Sequence, residues 1–167
     1  MANEPTFILY RAFGWVVARS LRPNGSVTRV TIDADKPREQ ANYVTLFTQG
    51  FLRNKCLTDD LPVLDRSPGT FSKDLKPYRA GVYELTAEGD AVWWCFDKAN
   101  NNGQIPDVAP IVMQPGESKQ FAAGTRLLLC EGSVYKGDEV LSGPKAITLT
   151  ENTALLAGAI VYGFEFL

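Results

Sequence analysis

Hydrophobic and polar positions along the chain fall into short runs divided by turn residues, and Ser26 to Asp33 alternates with a period of two. Thr6 to Leu21 mixes β-branched and aromatic residues. Pro23-Asn24-Gly25 separates it from Ser26 to Asp33, where Val27, Arg29 and Thr31 occupy one face and Thr28, Val30 and Ile32 the other. This pattern predicts a hairpin with a further bend at Gly14. An amphipathic helix is the alternative for Thr6 to Leu21, since only Gly14 interrupts it. Lys36 to Asn42 is polar enough for one helical turn, and Tyr43 to Leu52 reads as a strand or a short helix.

The pattern fails from Arg53 to Tyr78, where Pro62, Pro68, Gly69, Pro77 and scattered charges leave no sustained period. A long connector is predicted there, lying on a neighbouring molecule or wrapped over its own domain. Regular punctuation returns afterwards. Val82 to Leu85 and Ala91 to Phe96 read as strands around a Glu88-Gly89-Asp90 turn, and Lys98 to Pro110 reads as a loop. Further extended runs follow at Ile111 to Met113, Thr125 to Cys130, Val134 to Leu141, Ala146 to Leu149 and Ala154 to Leu167. Short strands at such spacing predict an all-β sandwich or barrel. The expected division is a β-rich segment over 1–52, an irregular connector over 53–78 and a β domain over 79–167.

Composition agrees with one folded domain: of 167 residues, 45% are hydrophobic and 22% charged. The net charge of −2 hides an asymmetry. Residues 1–78 carry 11 Lys+Arg against 8 Asp+Glu, and residues 79–167 carry 6 against 11. Copies attracting one another head to tail, or ordinary surface scatter, both account for this. No run approaches the ~18 apolar residues of a membrane span, and the N-terminus lacks a signal peptide's basic start and apolar stretch. Three widely spaced cysteines, Cys56, Cys95 and Cys130, point to buried thiols in a reducing compartment.

The absence of histidine changes the picture most. Ile111 to Gly132, IVMQPGESKQFAAGTRLLLCEG, is similar to the stretch of cupin-type jelly rolls in which a Pro-Gly turn, a buried aromatic and an Ala-Gly-Thr turn lead into a strand ending in Glu-Gly. The resemblance implies a barrel in which Phe121, Leu127 and Leu129 point inward. Metal-binding cupins use a histidine pair, a glutamate and a later histidine, so no metal ligand carries over and no cofactor is expected. A looser resemblance, in general form alone, is to the small jelly-roll proteins that decorate or cement bacteriophage capsids and tails.

Candidate chemistry is sparse. Asp59-Asp60 and Asp138-Glu139 are adjacent pairs whose side chains diverge on a strand, and Asp33 with Asp35 lacks the further oxygen ligands of a calcium loop. Cys95 and Cys130 lie in apolar runs, which leaves Cys56, beside Lys55, as the one thiol worth testing for reactivity. G-x-S-x-G does not occur. No catalytic and no metal-binding residue is therefore expected. Trp93 and Trp94 have the best claim to contact, because on a strand one ring enters the core and the other faces outward. Tyr10, Phe13 and Trp15, interleaved with Arg11, Arg19, Arg22 and Arg29, complete the candidates. Salt links across a hairpin explain those arginines more simply than single-stranded nucleic acid does.

These observations favour a non-enzymatic assembly protein: a homo-oligomer in contact with other virion proteins, located in a phage-like virion assembled in the host cytoplasm, with no nucleic-acid or membrane partner. The alternative is a metal-free, cupin-like module that binds a sugar or nucleotide. A pocket inside the barrel lined by Trp, Tyr and carboxylates would favour that alternative, and a barrel packed solid with side chains would sink it.

Overall fold

The computed structural model describes residues 6–33, 43–74 and 80–167. The helical turn expected at Lys36 to Asn42, Asp35, and the expected boundary between Tyr78 and Arg79 lie outside the described residues. The fold is all-β, with fifteen strands among the described residues. They divide into two compact units, residues 1–10 with 16–105, and residues 11–15 with 106–167.

The first unit contains β1 (Thr6–Ala12), β2 (Trp15–Arg22), β3 (Val27–Ile32), β4 (Tyr43–Cys56), β5 (Leu64–Arg66), β6 (Phe71–Asp74) and β7 (Gly81–Asp97). All seven belong to one sheet, ordered β1-β2-β7-β4-β5, with β3 also on β7 and β6 also on β4. The N-terminal hairpin is β1–β2. Its two-residue turn has positive φ at both Phe13 (53°) and Gly14 (82°), as primed turns demand.

Four expectations are corrected here. Pro23-Asn24-Gly25 closes no hairpin: β2 and β3 do not pair with each other but follow one another along the same edge of β7, at Ala91–Cys95 and Gly81–Thr86. The intervening residues form a bulge, held by Gly25 N to Ala87 O and Ala87 N to Ser26 O, each at 3.0 Å. Glu88-Gly89-Asp90 likewise does not reverse the chain. It lies within the 17-residue β7, whose Val92, Trp94 and Phe96 are buried on one face while Ala91, Trp93 and Cys95 take the other. Flanked by β2 and β4, this strand sits at the centre of the first unit and outside the expected 79–167 barrel. Finally, residues 53–74 are not an irregular connector throughout, because β4 runs on to Cys56 and pairs with β5 and β6.

Where β7 ends, Asn101 continues its hydrogen bonding with a side chain. Its Oδ1 accepts from Val16 N at 2.8 Å, and its Nδ2 donates to Val16 O at 2.9 Å and Asp97 O at 2.8 Å. The run of three asparagines is thus a loop at its ends and a buried β-pairing mimic in its middle.

The second unit is an eight-stranded jelly roll. Its strands are β8 (Val108–Met113), β9 (Ser118–Phe121), β10 (Arg126–Glu131), β11 (Ser133–Lys136), β12 (Glu139–Ser142), β13 (Lys145–Thr148), β14 (Thr153–Ala157) and β15 (Val161–Phe166). They form two four-stranded antiparallel sheets, β13-β10-β15-β8 and β12-β11-β14-β9. Ile111, Met113, Leu127, Leu129, Ile147 and Val161 from the first sheet meet Phe121, Val134, Leu141, Leu155 and Ala157 from the second in one apolar cluster with Leu149. The three side chains that the cupin resemblance placed inside the barrel are all buried in it. Phe13 belongs to this unit too, with its ring edge-on to Phe166 at 5.0 Å and the Arg126 guanidinium 5.2 Å from its centroid.

Candidate functional site

The candidate site lies in the first unit and arises from a change of parity along β4. Thr45 and Phe47 pair with Cys95 and Trp93, whereas Leu52 and Asn54 pair with Ala87 and Leu85. Directly paired residues share a face, and on an unbroken strand positions 47 and 52 would face opposite ways. Register shifts between Phe47 and Phe51 reset the alternation, so both halves of β4 turn side chains toward the odd-numbered face of β7. Gly50 makes the irregularity possible. It has φ +68°, and a Cβ there would lie 2.4 Å from Asp90 O.

The result is a pocket of about 220 Å³. Its apolar lining is Phe47, Leu52, Leu64, Leu85 and Trp93. Phe47 and Trp93 are stacked, with centroids 5.4 Å apart and planes inclined by 18°, and the Arg66 guanidinium lies 5.9 Å from the Phe47 centroid. The polar lining is Arg22, Tyr43, Thr45, Asn54, Arg66 and Cys95, with no carboxylate among the lining residues. Arg22 is only 6% exposed. Its Nη1 donates to Thr28 Oγ1, but its Nε is buried and has no hydrogen-bond partner among the described residues. Asn54 Oδ1 is buried and equally partnerless, as is Ser26 Oγ, which does not line the pocket.

Burial, followed by the charge of Asp97, pushes the Cys95 thiol up to about 12 against the smaller opposing effects of Thr45 and Arg66. At neutral pH it is a neutral thiol and a poor nucleophile. Cys130 is also pushed up, by burial and then by Glu131. Cys56 differs: burial acts to raise its pKa, but hydrogen bonds from Thr58 and the Asp59 backbone hold the thiol below its ordinary value. It lies beside Ile32 and Tyr83, away from the pocket lining. A metal ion does not fit the pocket, since two guanidinium groups would repel it and the thiol present is held protonated. Among the described residues, no three His, Cys, Asp or Glu side chains cluster as metal ligands would.

Of the expected contact residues, Trp93 alone lines the pocket. Trp94, on the opposite face, is fully buried, with the Tyr10 ring 5.3 Å away. Trp15 and Phe13 are partly buried and group with the second unit. Arg29 does make a salt link, with its Nε 3.3 Å from Glu84 Oε2, but it joins β3 to β7 and does not cross the expected hairpin. Arg22 turns into the pocket instead. Sequence reasoning missed the roles of Arg22, Asn54 and Arg66. The one usable signal was that Ser20 and Arg22 share a face on β2, and it needs the pairing of Ser20 with Trp93 to be read.

Fold and site together define the class: an all-β, cupin-like jelly-roll protein with an arginine-lined pocket in its first unit. Among solved structures, the chain is similar to YhhW from Escherichia coli, at 11% identity and a TM-score of 0.50 over 90% of this chain and 79% of that one. It is also similar to AerE from Microcystis aeruginosa, at 6% identity and 0.50 over 99% and 92%, and to a Cupin 2 conserved barrel domain protein from Leptotrichia buccalis, at 9% identity and 0.44 over 98% and 89%. At these identities the likeness is one of fold. No protein-family model matches the chain, and no curated protein is similar to it.

Proposed function

We propose that the chain is a non-enzymatic binding protein that holds a small organic molecule in the pocket beside Trp93. The observation that carries this reading is the pair of buried, partnerless polar atoms, Arg22 Nε and Asn54 Oδ1, on two residues of the pocket lining. Leaving such a group unsatisfied costs about 1–3 kcal/mol, and a ligand that pairs with both recovers that cost on binding. The high thiol pKa of Cys95 and the lack of an imidazole support binding over turnover. A thermal-shift screen of single-ring metabolites, neutral and charged, should find compounds that raise the melting temperature and are recovered unchanged. Leu64→Trp, at an exposed lining position, should block the pocket and weaken the hits by about tenfold or more in calorimetry. The reading fails if no compound shifts the transition, or if the blocked variant binds as well as the parent.

One feature favours a second role, contact between copies. β1 is the edge of its sheet among the described residues, and Phe7, Ile8 and Leu9 in succession are 67%, 53% and 48% exposed. Consecutive strand residues face opposite ways, so an occupant must straddle the edge. Another strand does that, and a second β1 across a two-fold axis offers the same apolar residues. This edge is what supports an assembly role, in a phage-like particle or outside one. Light scattering at high concentration should give a dimer that Ile8→Lys converts to monomer, and a monomeric parent would remove the reading.

A further inference from the structure

We infer that the pocket selects a planar carboxylate of single-ring size carrying a hydrogen-bond donor, with its carboxylate on the Nε edge of Arg22 and its ring beside Trp93. The inference rests on the small-molecule reading above and narrows it to one chemical class.

The sign of the ligand follows from the lining. Arg22 and Arg66 contribute two positive charges, and none of the described lining residues is acidic. Two nearby acids accept hydrogen bonds from other residues, and the charge of Asp97 is also felt at Cys95 in the lining. Asp65 receives Arg53 Nε at 2.9 Å and Nη2 at 3.1 Å, and Asp97 receives Asn100 N at 2.7 Å and Nδ2 at 3.1 Å. A sugar site built from carboxylates and aromatics would carry the opposite charge.

The head group follows from how Arg22 is held. Its Nη1 is fixed on Thr28, which orients the planar guanidinium and leaves Nε without a partner. Two parallel N–H groups on one edge of a guanidinium match the two oxygens of a carboxylate. A residue buried only for structure would satisfy its donors on carbonyls or carboxylates of its own chain.

The body of the ligand follows from shape. Phe47 is 1% exposed and stacked on Trp93, which leaves the partly buried Trp93 as the ring a planar aromatic or conjugated group can meet. A volume near 220 Å³ falls below the roughly 300–1,000 Å³ of pockets for drug-sized molecules, which admits one ring and excludes a nucleotide. Asn54 Oδ1, a buried acceptor with no donor, asks for a hydroxyl or amino group on the ligand.

Calorimetry on the full chain, with benzoate, 4-hydroxybenzoate, 4-hydroxybenzamide and phenyl phosphate as probes, tests each element. 4-Hydroxybenzoate should bind most tightly, and the amide and the phosphate ester about 10- to 100-fold more weakly. Arg22→Gln should remove most of the preference for acid over amide. Arg22→Lys, which keeps the charge and loses the fork, should retain the sign of that preference at lower affinity. Asn54→Leu should abolish the advantage of the hydroxylated acid over benzoate while leaving benzoate itself little changed. Far-UV circular dichroism of each variant checks that it is folded. If the amide or the phosphate ester binds as well as the acid, or if folded Arg22→Gln binds the acid unchanged, the inferred class is wrong while the pocket remains a binding site. If neither these probes nor the neutral compounds of the wider screen bind, the binding reading falls with it.

Discussion

Gly50→Ala should cost about 2–4 kcal/mol of stability, two to four times the loss from Gly14→Ala. Both positions have φ in the left-handed region, at +68° and +82°, where an L side chain costs about 1 kcal/mol. They differ in their surroundings. A Cβ at Gly14 meets nothing within 4 Å, whereas at Gly50 it would lie 2.4 Å from Asp90 O, 2.8 Å from Asp90 C and 2.9 Å from the Ala91 Cα. These are backbone atoms of the facing strand, and they cannot rotate aside as a flexible side chain does. Forcing β4 away from β7 adds an overpacking cost of about 1–3 kcal/mol to the strain. Urea unfolding of the two variants against the parent measures the difference through the midpoint at constant slope. Equal losses would mean that the close approach at Gly50 is relieved at no cost. The effect should reach the pocket as well, because this irregular stretch lets Phe47 and Leu52 face the same way.

The same stretch shows where the sequence was legible and where it was not. The second unit was readable because its signals are local. Pro115-Gly116, Phe121, Ala122-Ala123-Gly124 and the alternating Leu127 and Leu129 each act on their own neighbours, and the cluster they predict is the one that forms. The divergence of Trp93 and Trp94 needed only the period of a strand. The first unit depends on pairings distant in sequence. Pro23-Asn24-Gly25 has the composition of a hairpin turn and that of a bulge alike, and the backbone of Ala87, more than 60 residues away, decides between them. Glu88-Gly89-Asp90 is its counterpart, with Asn24 N donating to Asp90 Oδ1 at 3.0 Å and Gly89 N donating to Asn24 Oδ1 at 2.8 Å. Two apparent turns pack against each other and neither reverses the chain. The pocket inherits this difficulty, because its residues come from β2, β4, β5 and β7 and share a wall only once the shifted register is known. Arg22 was weighed as one of four surface arginines for that reason.

Arg22→Met should raise the stability of the unliganded protein by about 1 kcal/mol while abolishing binding of carboxylates. In the parent, Arg22 is a residue only 6% exposed that keeps a buried Nε without a partner, and burial lowers its pKa from the ordinary value. An unsatisfied buried donor costs about 1–3 kcal/mol, with a further cost for the charge it carries. Methionine is unbranched and flexible, so it fills much of the same volume beside Leu52 and Leu85 without a polar atom that needs pairing. The substitution also removes the hydrogen bond to Thr28, worth about 1.5–3 kcal/mol for a charged donor, but Thr28 is only partly buried and water reaches it. The terms oppose each other, and the desolvated charge tips the balance toward a gain. A binding site carries such a strain because the ligand relieves it: the same unpaired edge that weakens the empty protein supplies affinity when a carboxylate arrives. The measurement is the urea midpoint of parent and variant, each with and without 4-hydroxybenzoate. The ligand should shift the parent upward and leave the variant where it was. A variant destabilised by several kcal/mol would identify Arg22 as a structural arginine whose burial the fold requires, and the reason for giving it a ligand would disappear.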